Sequence, residues 1–384
     1  MTQQAVLGAR DVNLIRGVFF LQPIALGAWF PRIAEIQQRL QVSEGEFALA
    51  LVGMPVGLLI MLMFAGRLTE RFGARQLLIA GLFAFICLMP LPTYAESIFQ
   101  LFVYLAVVGS ALAFVELCMN VIADKTERGS GQLIMSGCHG LWSLGVLVGS
   151  LISSGFSWVG YGPSESILMV SGMALLPALF TSYSLAEGRE PDVAEKSESG
   201  FQMPSWALIA VCFFAFGITM TEGAIADWSA IYVTDLFDLS AGYAGIAYST
   251  FAMMLTFGRL TGDWLRSRVE VQVVAAGIVM LALVGVGILV MSPNYAVSLL
   301  GFGLVGIGVS GGFPLAVTAA AEKPGRSAAT NVGLMTQIAL GGFLVGPLVI
   351  GYAADHLGIQ GGFLLLLPAL ALSLLMSRSL IKRG

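Results

Sequence analysis

Charged side chains are scarce: Asp, Glu, Lys and Arg make up 11% of the 384 residues, against about a quarter in soluble domains. That excludes an ordinary soluble protein, and a formal charge of −4 is too small for nucleic-acid steering. Histidine occurs twice, at His139 and His356, with no HExxH pattern and no Walker sequence. Zinc hydrolysis and ATP-driven pumping therefore lack their constellations, and neither enzyme activity nor any cofactor or metal is expected. Cys87, Cys118, Cys138 and Cys212 sit in apolar runs without CxxC or CxxH spacing, and read as small hydrophobes. What is abundant is apolar: 57% hydrophobic residues, 47 Gly and 24 Phe, with a mean hydropathy of +0.87. The chain reads as an all-α integral membrane protein.

A membrane-crossing helix needs roughly 20 mainly apolar residues. Twelve runs qualify: 11–34, 44–65, 76–95, 98–120, 132–157, 165–186, 204–234, 241–261, 269–292, 294–320, 327–353 and 359–380. No cleavable leader is expected, because Asn13 and Arg16 interrupt the first run, which reads as a retained helix. Lys and Arg accumulate in loops that stay in the cytoplasm. With both termini inside, 16 of the 19 Lys and Arg residues fall on the cytoplasmic side. Arg67, Arg71, Arg75, Arg259, Arg266 and Arg268 are among them, and only Arg32 and Arg39 lie outside. A multi-pass cytoplasmic (inner) membrane protein with N-in/C-in topology is expected.

The sequence also repeats. Gly66-Arg67-Leu68-Thr69 returns as Gly258-Arg259-Leu260-Thr261, 192 residues later, and Ala123-Asp124-Lys125 is echoed by Ala321-Glu322-Lys323. Two parallel six-helix bundles follow, at 1–186 and 204–384, joined by the polar stretch 187–203, which reads as a cytoplasmic linker.

A 6+6 parallel repeat with a basic, Gly-containing loop between the second and third spans resembles the major facilitator superfamily, whose members move small solutes by alternating access. The loop Gly66-Arg67-Leu68-Thr69-Glu70-Arg71-Phe72-Gly73-Ala74-Arg75 resembles the superfamily signature G-x-L-x-D-R-x-G-R-[RK]. Glu70 replaces the usual Asp, and Ala74-Arg75 supplies part of the basic pair. Asp263 stands one residue late in the second half. The resemblance implies a conformational latch built from Gly66, Glu70, Arg71, Gly73, Arg75 and Asp263, formed in the outward-open state. The alternative is that these arginines only fix topology. Glu116 to Asn120 in the fourth span, with the segments at 139–145 and 226–232, resembles the fucose permease branch of proton-coupled sugar carriers. The first span, however, has no acid between Leu21 and Phe30, where that branch carries a carboxylate.

Ionisable groups at membrane depth are costly and mark pathways. Arg16, Glu116, Asn120 and His139 fall at similar depth in the first half, predicting one polar cluster. In it Glu116 alternates between an ion pair with Arg16 and a protonated state, which would couple transport to protons. The competing reading is a static ion pair, with Arg16 snorkelling and His139 merely packed. In the seventh span Ala215, Thr219, Glu222, Ala226 and Ser229 form a polar stripe at helical spacing that should face the pathway. Asp227, about 140° round from Glu222, is a further candidate for proton coupling or for a structural pair. Trp142, Trp228, Tyr232 and Tyr248 could stack on a sugar ring. Gln337, and Asn331 with it, could bond a hydroxyl or simply pack.

The expected function is secondary uptake of a small, polar, sugar-like solute by proton symport. The partners are the solute, protons and membrane lipids, and a monomer suffices because two bundles enclose one pathway. An exporting antiporter is the alternative, and a non-transporting sensor a distant third. Gly-Pro, a mark of drug exporters in the fifth span, is missing there and occurs as Gly346-Pro347.

Overall fold

The computed structural model describes residues 8–186, 203–324 and 326–380, so nearly all of the proposed linker lies outside the described residues. The chain is helical throughout them. In order the helices are α1 (Ala9–Gly27), α2 (Ile33–Leu40), α3 (Glu44–Leu51), α4 (Gly53–Phe72), α5 (Ala74–Leu88), α6 (Ile98–Ser130), α7 (Met135–Trp158) and α8 (Pro163–Tyr183). Then come α9 (Trp206–Phe237), α10 (Ala241–Arg266), α11 (Val271–Val290), α12 (Tyr295–Ser310), α13 (Gly312–Ala321), α14 (Ala328–Leu364) and α15 (Leu366–Met376).

Ten segments among the described residues are long and apolar enough to cross a membrane. One of them, Thr330–Leu380, has 51 residues, enough for two crossings at 1.5 Å per residue. The helix α10, 26 residues long, stands outside the ten. The molecule is thus a multi-pass helical membrane protein with ten to twelve crossings. Large apolar side chains such as Met63, Phe99, Leu176 and Phe180 are exposed along these helices, as a surface turned to lipid requires.

Local chemistry sets the helix ends. Ser43, Ser97, Ser205, Asn294 and Ser327 cap α3, α6, α9, α12 and α14, each side-chain oxygen accepting from an amide three residues on. Gly73, at φ 86°, takes the left-handed conformation that ends α4 and starts α5 with no intervening loop. Gly358, at φ 72°, breaks α14 in the same way. Several predicted runs are interrupted. The first bends through a short 3-10 turn at Phe30–Arg32, and the tenth is divided at Gly311.

Packing runs mainly within residues 8–186 and within 203–380. The helix α1 lies on α7 and α8, α4 on α6, α9 on α14 and α15, and α12 on α10 and α11. Two main seams join these sets, α7 with α10 and α3 with α14, and the turn at Phe30–Arg32 and α2 also touch α10 and α9. Ends alternate between two faces. The Gly73 face carries the loops at 73, 267–270 and 322–327, and the Ser43 face those at 41–43, 159–162 and 238–240.

Candidate functional site

The α7–α10 seam is built from small residues that let the backbones approach. A Cβ at Gly140 would strike Leu260, one at Gly245 would strike Ser154, and one at Gly242 would strike Trp158. Between these contacts the buried hydroxyls of Ser150 and Ser249 hydrogen-bond at 2.7 Å. On this seam, seven residues before the end of α10, sits Arg259.

The Arg259 guanidinium forks. One nitrogen donates to Glu222 Oε1 of α9 at 2.8 Å, and the other to Ser143 Oγ of α7 at 2.7 Å. The paired side chains are only 15% and 13% exposed, so the ion pair is held largely away from water. A single cation therefore ties a carboxylate on its own side of the seam to a hydroxyl on the other. Charge-assisted bonds of this kind are about twice as strong as neutral ones, and losing either ionic partner leaves a poorly solvated charge.

Further polar groups surround the pair. His139, one turn before Ser143, is exposed, lies edge-on to Phe19 at 5.5 Å and is within electrostatic reach of Arg259. Tyr248 is buried and stacks on Phe30 at 4.6 Å. It lies within electrostatic range of Glu222, Asp227 and Arg259. Beside Ser143, Trp142 Nε1 donates to Gln22 Oε1 of α1 at 3.1 Å and meets the Glu116 side chain of α6. A second polar group, Gln22–Trp142–Glu116, thus adjoins the first through consecutive residues of α7.

Several sequence expectations are corrected. Arg259 does not belong to a loop, because α10 continues to Arg266 and leaves Arg259 two turns inside. Arg16 and Glu116 are not brought together. The Arg16 head lies beside Gly137 and Cys138 at the start of α7, while Glu116 turns to Trp142. Asn120 does not join them either, since its amide donates to the Glu116 carbonyl at 2.8 Å within the same helix. The α9 stripe does not face a pathway along its length: Thr219 donates to the Ala339 carbonyl of α14 at 2.6 Å, and Ser229 is buried. Trp228 and Tyr232 are fully buried. Tyr232 packs on Phe302 and Phe363 and donates to the Leu289 carbonyl at 2.5 Å, so it serves the core. Asn331 donates to the Lys323 carbonyl at 2.8 Å, a structural bond. Gln337 is exposed on α14.

The latch segment is on the surface. Gly66, Glu70 and Arg71 are exposed, and a Cβ at Gly66 would meet nothing within 4 Å. Arg75 donates to the Tyr183 carbonyl of α8 and lies over that ring at 5.1 Å. The side chain of Asp263 lies outside the described residues. Gly308-Val309-Ser310-Gly311-Gly312 has the Gly-x-Ser-x-Gly spacing, but it joins two helices, and Ser310 bonds the Ile307 carbonyl. That is not the strand-to-helix elbow of a hydrolase.

Arg259 and Ser143 escaped the sequence reading. The available signal was distance: Arg266 and Arg268 already supply the loop cations, leaving Arg259 about 10 Å inside the helix end.

A multi-pass helical protein whose sets of helices meet on a water-poor ion pair has the build of a membrane transporter. Residues 17–341 match the family profile of the Major Facilitator Superfamily, and the chain belongs to that family. It is 30% identical over 365 residues to an uncharacterised MFS-type transporter of Yersinia pestis, covering 94% of each chain. Its fold is similar to that of a mutant nucleoside transporter NupG, with a TM-score of 0.76 and 12% identity over 97% of this chain and all of that one. It is also similar to the fucose:proton symporter FucP of E. coli, with a TM-score of 0.64 and 17% identity over 97% and 98%. As a family of transporters, these relatives are not enzymes.

Proposed function

We propose that this chain is a proton-coupled symporter of the cytoplasmic membrane that takes up a small, polar, sugar-like solute by alternating access between two six-helix bundles. The observation that carries this reading is the Arg259 fork, which links α9 and α10 to α7 across the seam. The basic Gly73 face is taken as cytoplasmic, because Lys and Arg concentrate there.

Glu222 is the proposed proton acceptor. As a carboxylate it neutralises Arg259, and the pair can stay buried. A proton on Glu222 removes the negative charge and leaves Arg259 short of a partner, so an oxygen-rich solute or water entering beside His139 is favoured. Release of the solute restores the ion pair and expels the proton. Glu116, with Trp142 and Gln22, offers a carboxylate, a ring face and an amide suited to a hydroxylated solute, and is the second proposed coupling site. Arg16 and Asp227 are proposed to tune these groups by charge rather than by contact. The latch segment Gly66 to Arg75 would engage when the Gly73 face closes.

Solute-driven proton entry into proteoliposomes tests this. A panel of sugars, nucleosides and other neutral polar solutes is offered to the parent and to Glu222→Gln. One solute driving proton entry in the parent, with the variant moving solute without protons, supports the reading. Proton efflux coupled to solute movement in the opposite sense would establish the exporting alternative instead.

A further inference from the structure

At the end of the molecule remote from the Arg259 fork, a second contact crosses from one set of helices to the other. The helix α3 opens with a capping box: the Glu46 amide donates to Ser43 Oγ at 3.3 Å, and the Ser43 amide donates to Glu46 Oε2 at 3.2 Å. The Gly45 amide and the Ser43 hydroxyl both donate to a single residue of α14. Gly45 N–H donates to Asp355 Oδ1 at 2.9 Å, and Ser43 O–H donates to Asp355 Oδ2 at 3.1 Å. The partners stand 310 and 312 residues apart in the chain. A carboxylate at a helix N-terminus is favoured by the helix dipole as well as by these bonds.

Gly45 is required for the approach, because a Cβ there would strike the Asp355 carboxylate. One turn earlier on α14, Gly351 lies against Ala48, the Glu44 carbonyl and Trp228, so the seam is close-packed below the bonds. Toward the Gly73 face the approach is looser at two described glycines: a Cβ at Gly333 on α14, or at Gly66 on α4, would meet nothing within 4 Å. The Asp355 bonds are exposed, so water replaces them readily when they part. Glu44 of α3 and Asp235 of α9 also face this corner, with His356 beside Asp355 on α14, which makes it polar enough to wet on opening.

We propose that Asp355, by capping α3 from across the seam, is the latch that keeps the Ser43 face closed, and that its release is part of opening that face. It is independent of which residue carries the proton.

Hydrogen exchange on the full-length protein in lipid nanodiscs tests this. Asp355→Ala is expected to speed exchange about tenfold, equivalent to about 1.4 kcal/mol, in residues 43–52. The same acceleration is expected on the Ser43 half of the α7–α10 seam, at 150–158 and 242–249, which does not touch Asp355, while 66–75 becomes more protected. Acceleration confined to 43–46 would mean a local helix cap only, and would overturn the proposal. If Asp355→Ala fails to fold, Ser43→Ala removes one bond of the two and is expected to give the same pattern at smaller amplitude. An unchanged seam in that variant overturns the proposal equally.

Discussion

Arg259 concentrates the chemistry of the site because a guanidinium can bind two partners at once in a fixed plane. Replacing Glu222 by Gln keeps the shape but leaves the guanidinium without its anion at 15% exposure. Breaking a buried pair costs about 3–5 kcal/mol, and residual water here reduces the expected loss to about 2 kcal/mol. Thermal denaturation in detergent should show Glu222→Ala and Arg259→Ala each destabilising, and the double variant less destabilised than their sum. Additive losses would mean that the pair is not energetically coupled. Tyr232→Phe makes the opposite kind of prediction. It deletes one buried bond to the Leu289 carbonyl, worth about 1 kcal/mol, and should lower the melting temperature without changing the solute concentration for half-maximal transport. A large shift in that concentration would put Tyr232 back at the pathway.

The helices were readable from the sequence because an apolar run of about 20 residues has few other fates, and Gly73 marked a turn by its residue type. Partners across helices were not readable. The helix α9 is apolar almost all round, with 19 buried residues from Leu208 to Val233, so spacing could not say which side met α14 and which met α10. For that reason spacing does not reveal that Trp228 and Tyr232 are buried in the core. Arg259 was misassigned because its match to Arg67 suggested the same setting, whereas Arg67 is exposed and Arg259 is enclosed. Glu222 and His139 were legible because charge or titratable nitrogen inside an apolar helix is itself a signal. The α7–α10 seam gives the prediction at this scale. Gly245→Leu would drive a side chain into Ser154 and Pro31, and should abolish transport while leaving the protein inserted and monodisperse. Undiminished transport would show that the seam need not stay closed-packed.

Across the whole molecule, the two inter-set seams are unequal. The α7–α10 seam is joined near both faces, by Gly140 and Leu260 at one end and Gly242 and Trp158 at the other. The α3–α14 seam carries the Asp355 bonds at the Ser43 face, and α4 also touches α14. The sequence repeat does not say which side chains meet across the helices, since pairs such as Ser43 with Asp355 lie 312 residues apart. Proton movement in proteoliposomes, parent beside Glu222→Gln and Glu116→Gln, separates a coupled carrier from a structural ion pair. One neutral polar solute should drive proton entry in the parent, with Glu222→Gln still moving that solute but no longer moving protons. Solute-driven proton entry undiminished in Glu222→Gln would contradict it, and would leave the Arg259–Glu222 pair as a structural tie.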